Sequence, residues 1–173
     1  LKVPSSDSYA WVITREKDLI DKCSILPEAM CVQCARALSD MREVPFNSVA
    51  VIARPCEIRS AIELSKLNQI ELDKLILISI DCPGAVPLSQ FITDTEKCEE
   101  KFKELTEKFI KSPDEWFEFS DTIRESCIIC DKFTGLDYCE ADIHIGLMGI
   151  DGNIVLIPKT EKGRELLHRS GFK

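Results

Sequence analysis

Histidine is nearly missing from this chain, with two among 173 residues. That leaves little scope for imidazole-based zinc sites or acid–base chemistry. Positive charge is also short: 22 Lys and Arg stand against 30 Asp and Glu, for a formal net charge of −8. Phosphate contacts need a basic face, so the balance argues against a nucleic-acid partner. Long apolar runs are absent too. The longest, such as "LILISI", fall far below the roughly 20 residues that a membrane-spanning helix requires. No secretory signal is visible. Glycine and proline are ordinary in number, and no repeat, low-complexity tract or linker divides the sequence. One domain over residues 1–173 is expected, with an N-terminal segment at 1–47 and a core at 48–173.

What the chain does have is cysteine. Nine cysteines are many for this length, and the number is odd. Without a secretory signal, a disulfide scaffold is a poorer reading than reduced thiols in the cytoplasm, some of them metal ligands.

Periodicity gives the elements. "SYAWVIT" (Ser8 to Thr14) reads as a strand, and "REKDLIDK" as a short helix or loop. In "PEAMCVQCARALSDM", Cys31, Cys34, Leu38 and Met41 are spaced as the stripe of an amphipathic helix. "SVAVIA" (Ser48 to Ala53) and "KLILISID" (Lys74 to Asp81) are buried strands. Between them "RPCEIRSAIELSKL" is a helix with Pro55 in its first turn. Two apolar strands joined by a helix make a βαβ unit, hence a parallel pair. "TDTEKCEEKFKELTEKFIKS" is a helix with Cys98, Phe102, Leu105 and Phe109 on its apolar face. Thr93 and Glu96 read as its capping box. "ADIHIGLMG" and "NIVLIPK" are strands around the turn signal "IDG", and "TEKGRELLHRSG" is a last helix. The fold class expected is α/β, shading into mixed α+β: a small parallel or mixed sheet with a βαβ unit and flanking helices.

The βαβ reading constrains the cysteines. Cys56 and Cys82 each stand just past the end of a buried strand, so both fall on one edge of the sheet. There, neighbouring strands are about 4.8 Å apart, and open α/β sheets bind ligands at this edge. Cys56 also sits at a helix N-terminus, which favours thiolate. Cys127 and Cys130, in "RESCIICDKFTG", form a Cys-x-x-C turn that brings two sulfurs to one metal or cluster face. Together the four would supply the thiolates of a 4Fe-4S cluster. Other readings stand beside this one. Cys139 competes for a ligand place, Cys127 and Cys130 could be a redox-active thiol pair, and a zinc ion could staple the fold. Cys31, Cys34 and Cys98 read as core residues, and Cys23 as a structural thiol. His144 reads as a plain strand residue. Arg54, on the same edge as Cys56, suits an anionic ligand or an internal carboxylate alike. Lys159 and Thr160, before a helix, suit a phosphate or simply a solvated helix start.

The order of "VAVIARPCEIRSAIEL", "LILISIDCPG", "CIICDKFTG…ADIHIGLMG" and "GNIVLIPKTEKGRELL" resembles the beta-subunit family of deazaflavin coenzyme F(420)-reducing hydrogenases and formate dehydrogenases. The likeness runs from about Val49 to Leu167. It implies an iron–sulfur flavoprotein with FAD and a 4Fe-4S cluster, the latter on Cys56, Cys82, Cys127 and Cys130. It also implies electron transfer between iron–sulfur subunits of hydrogenase, formate dehydrogenase or heterodisulfide-reductase type and a deazaflavin or similar acceptor. The "KTEKG" segment matches a family "RTxxG" pattern with Lys159 in place of Arg, which makes Lys159, Thr160 and Gly163, with Arg54, the candidate flavin contacts. Two departures are visible. Many members carry Gly-Thr before the Pro-Cys, where this chain has "ARPC", and many continue well past the helix after "KTEKG", which suggests a fragment, a short member or a subunit that shares its flavin site with a partner. The alternative function is a non-catalytic docking module of a redox complex, held by a cluster or by zinc.

Overall fold

A computed structural model describes residues 1–3, 8–41, 49–137, 139–150 and 152–172. In chain order the helices and strands are α1 (Lys17–Ile20), α2 (Cys34–Asp40), β1 (Val49–Ala53), α3 (Pro55–Lys66), β2 (Leu75–Ile80), α4 (Leu88–Thr93), α5 (Thr95–Lys111), α6 (Glu125–Ile128), β3 (Ile143–Gly146), β4 (Val155–Pro158) and α7 (Glu161–Arg169). Short 3-10 stretches occupy Leu72–Lys74 and Pro113–Thr122. Ser48, expected to open the first buried strand, and Asp151 of the expected turn lie outside the described residues. The described residues fall into two compact units, Leu1–Gln33 with Pro83–Cys130, and Cys34–Cys82 with Asp131–Lys173.

The second unit holds a four-stranded sheet in the order β1-β2-β3-β4. β1 and β2 run parallel, with Val49 opposite Leu75 and Ala53 opposite Ser79. β3 joins β2 in parallel, and β4 returns antiparallel to β3. The result is the mixed α/β architecture expected, sheet and flanking helices included. Branched residues suit the sheet because their stiff side chains pack on a pleated surface. One face buries Val51, Ala53, Leu75 and Leu77 with Ile58 and Ala61 of α3 and Cys34, Ala35 and Leu38 of α2. Pro55 takes the first position of α3, where its missing N–H costs nothing. The helix ends on Asn68 in the left-handed region, with Gln69 N–H donating to Leu64 O and Asn68 N–H to Ser65 O. These two bonds are a Schellman closure.

The first unit is organised by α5, whose stripe of Cys98, Phe102, Leu105 and Phe109 is buried as expected. Phe109 meets Trp116 edge-on at 5.8 Å, and the indole N–H of Trp116 donates to Pro83 O at 3.0 Å. A large aromatic is thereby buried with its polar atom satisfied.

Three local expectations are corrected. Residues 8–14 form no strand: the only pairing there among the described residues is a single bridge from Tyr9 to Lys2, and Trp11, Val12 and Ile13 are exposed. Branched residues favour a strand only where a neighbouring strand accepts their hydrogen bonds. The helix expected from Pro27 starts at Cys34, so of its stripe only Cys34 and Leu38 are buried helical positions. Its start is set from outside, since Glu57 on α3 accepts the Cys34 N–H at 3.0 Å. Lastly, Thr93 does not cap α5. It closes α4, with its hydroxyl donating back to Ser89 O at 2.7 Å. The cap is Asp94, whose carboxylate accepts from Lys97 N–H at 3.2 Å. Asp94→Ala should therefore cost about 1 kcal/mol of stability in denaturant titration, while Thr93→Ala should fall within about 0.5 kcal/mol of the parent.

Candidate metal centre

The parallel register decides where the first two candidate ligands stand. Cys56 and Cys82 are each three residues beyond the matched pair Ala53 and Ser79. Both strands therefore deliver their cysteine at the same edge of the sheet, as the βαβ reading expects. Cys56 is exposed in the first turn of α3, and Cys82 is buried. The Cys82 N–H donates to Phe133 O at 2.8 Å, which ties the strand end to the 133–135 stretch.

Cys127 and Cys130 belong to the first unit. Cys127 lies on α6, and Cys130 follows one turn on, its N–H donating to Cys127 O at 3.2 Å. Both are half-buried. Among the described residues no three His, Cys, Asp or Glu side chains gather tightly enough to hold a metal ion, and the four candidate ligands divide two and two between the units. The donor chemistry of the set fits an iron–sulfur group, which takes thiolate sulfur.

The other cysteines are placed by packing. Cys34 and Cys139 lie in the hydrophobic core of the second unit. Burial, helped by Glu57, pushes the Cys34 thiol far above its ordinary range, and burial raises Cys139 despite the nearby Lys159. Cys98 is buried on the α5 stripe, and Cys23 donates to Leu19 O. Cys31 lies outside α2 and accepts from Tyr9 N–H at 3.4 Å.

A polar network missed by sequence reasoning stands directly before Cys82. His144 is fully buried, with Nδ1 2.8 Å from Ser79 Oγ and Nε2 3.1 Å from Asp81 Oδ1. Asp81 Oδ2 accepts the Leu147 N–H at 2.9 Å. Burial alone would raise the Asp81 carboxyl. The hydrogen bonds from His144, Leu147 N–H and Thr134 outweigh it and hold the pKa below the ordinary value. An ionised carboxylate only accepts, so His144 Nε2 carries the hydrogen between them. Gly135 covers the group so closely that a Cβ there would run into Ser79 and His144. The alternation of "DIHI" marks His144 as a strand residue, but only the β2–β3 register reveals its partners.

Three of the candidate flavin residues, Lys159, Thr160 and Gly163, stand at the end of β4 and the start of α7, while Arg54 stands at the end of β1, at the other edge of the sheet. Lys159 Nζ donates to Gly135 O and Cys139 O, each at 2.5 Å. Thr160 caps α7, accepting from Gly163 N–H at 3.1 Å and donating to Asp142 Oδ1 at 2.7 Å. Gly163 is pressed against the Asp142 backbone carbonyl. Arg54, at the β1 end, is buried, and its N–H donates to Glu57 at 3.2 Å.

Residues 46–170 match the family model that describes the C terminus of the beta subunit of coenzyme F420 hydrogenase/dehydrogenase. The chain belongs to this family. It is 31% identical over 83 residues to "F420-dependent formate dehydrogenase subunit beta" of Methanocaldococcus jannaschii, covering 46% of this chain and 20% of that protein. It is 44% identical over 39 residues to "F420-dependent formate dehydrogenase 1 subunit beta" of Methanococcus maripaludis, covering 22% and 10%. The aligned stretches thus span a fifth or less of these relatives. All four candidate ligands and the "KTEKG" segment lie inside the family match. No helix among the described residues is long and apolar enough to cross a membrane.

For this beta-subunit domain the packing at Gly163 and the charge on Asp81 both have measurable effects. In a solvated helix Gly→Ala is stabilising by up to about 1 kcal/mol, but at Gly163 the new methyl meets backbone. Gly163→Ala should therefore destabilise by about 1–3 kcal/mol in thermal or denaturant unfolding. Asp81 has a depressed folded pKa, so its contribution is fully present above the unfolded value near 4 and is lost as pH falls through the folded value. Asp81→Asn should cost about 1–3 kcal/mol at pH 7, and its stability should fall less steeply than the parent's below about pH 4.

Proposed function

We propose that the chain is part of an electron-transfer subunit that carries one 4Fe-4S cluster on Cys56, Cys82, Cys127 and Cys130, with FAD beside it. The observation that carries this reading is the parallel pairing of β1 and β2, which brings Cys56 and Cys82 to one edge of the sheet inside the family match. In this reading the partners are iron–sulfur subunits of a hydrogenase, a formate dehydrogenase or a heterodisulfide-reductase-type complex. The acceptor or donor is a deazaflavin or a related soluble carrier, and the setting is the cytoplasm.

When bound, flavin exchanges a two-electron hydride for single electrons, which a cluster carries. The protein's part is to fix positions and charge. Cys82 is held by the Phe133 carbonyl and by the Asp81 network next to it, so its sulfur stands on a rigid strand end. Cys56 is exposed, which suits an electron entering or leaving through that ligand. On the flavin side, Arg54 brings a buried positive charge to the edge that carries Cys56. Lys159, Thr160 and Gly163 offer a cation, a hydroxyl and close-packed backbone at the start of α7.

Iron, sulfide, zinc and flavin content of the anaerobically isolated protein tests this directly. About four iron and four sulfide per chain, with flavin, are expected. Cys82→Ser should abolish the cluster, whereas Cys98→Ser should leave it intact. Equal loss in both variants overturns the ligand assignment, and zinc in place of iron overturns the redox reading.

A further inference from the structure

Among the described residues Arg124 is an arginine without an ion pair, although the chain carries a net charge of −8. Its Nε is buried with no hydrogen-bond partner. Leaving a buried guanidinium N–H unmatched is costly, and so is a partly buried charge with no counter-charge. What the guanidinium faces is sulfur: Nη2 lies 3.0 Å from Met30 Sδ and 3.7 Å from Cys127 Sγ.

The placement is held by backbone. Arg124 N–H donates to Ala85 O at 2.9 Å, and Arg124 O accepts from Cys127 N–H at 2.8 Å and Ile128 N–H at 3.1 Å. The residue thus closes the first turn of α6 and fixes the distance between its own side chain and the sulfur three positions on. Such a contact does not rely on the chance meeting of two long surface side chains.

We propose that Arg124 tunes the cluster from outside its ligand set. Its guanidinium donates to the Cys127 sulfur and sets a positive charge beside it. The inference rests on the reading of Cys127 as a cluster ligand. A metal-bound thiolate supplies a negative group that this arginine lacks among the described residues. Hydrogen bonds to the sulfurs and local charge are among the factors that set an iron–sulfur potential. Reduction adds one electron and forms or breaks no bond, so a fixed positive charge favours the reduced, more negative state. Arg124 therefore raises the midpoint potential. It is a positioning and tuning residue, not a catalytic one.

The test is a dithionite redox titration of the whole anaerobically isolated protein, followed by cluster absorbance and electron paramagnetic resonance, for the parent, Arg124→Gln and Arg124→Lys. Arg124→Gln should lower the midpoint by roughly a tenfold change in the one-electron equilibrium, about 59 mV. Arg124→Lys keeps the charge and should recover much of that shift. Loss of the cluster from Arg124→Gln alone, with Arg124→Lys near the parent, would also support the charge role. An unchanged midpoint in Arg124→Gln at full iron content overturns the proposal and leaves the proposed function standing. Equal loss of iron from both variants, with the fold retained by circular dichroism, overturns it in favour of a structural arginine. A parent protein that carries no iron overturns both readings together.

Discussion

Ala53 lies opposite Ser79 across a parallel strand pair, and much of the second unit depends on that match. The pairing sets where α3 begins, because β1 ends one residue before Arg54. It also brings Cys56 and Cys82 to the same distance past a shared register position. A slip of one residue would turn Val51, Ala53 and Leu77 out of the core, since side chains alternate along a strand. The hydrophobic face therefore fixes the register, and the register fixes the cysteines.

Three carboxylates then do what apolar packing cannot. Glu57 accepts backbone N–H groups from Arg54 and Cys34, joining the starts of two helices. Asp81 accepts from Leu147 N–H and faces His144, joining β2 to the end of β3. Asp142 accepts from Leu77 N–H and from Thr160, joining the sheet to α7. Glu57 and Asp81 answer backbone donors where an element begins or has just ended, and Asp142 takes the Leu77 N–H one residue before β2 pairs with β3. Such bonds are directional, so they place strand and helix ends more tightly than hydrophobic contact does.

The sequence was most readable where its period was strong. The α5 stripe, the two branched strands and Pro55 at a helix start all follow from patterns within one segment. The same patterns sufficed to put Cys56 and Cys82 on one edge, because a βαβ unit leaves little choice of geometry. They misled where local preference lacked a partner. "SYAWVIT" has strand composition, yet among the described residues its only pairing is the Tyr9–Lys2 bridge, and Thr93 resembles a cap but is consumed by the turn before it. They were silent where chemistry depends on register between distant segments. Nothing near His144 in the sequence names Ser79 or Asp81 as its neighbours, and nothing near Cys127 names Met30 as sharing its arginine.

The order of the chain carries a cost during synthesis. β1, α3 and β2 are complete by Ile80, but the neighbour that β2 needs on its other side arrives only with β3, and Ser79 precedes His144 by 65 residues. At roughly 5–20 residues per second, a ribosome leaves that side of β2 open for several seconds. An unpaired apolar edge invites pairing with other chains. The nascent protein thus passes through an interval in which crowding by its own copies, or a chaperone that shields the open strand, decides the yield.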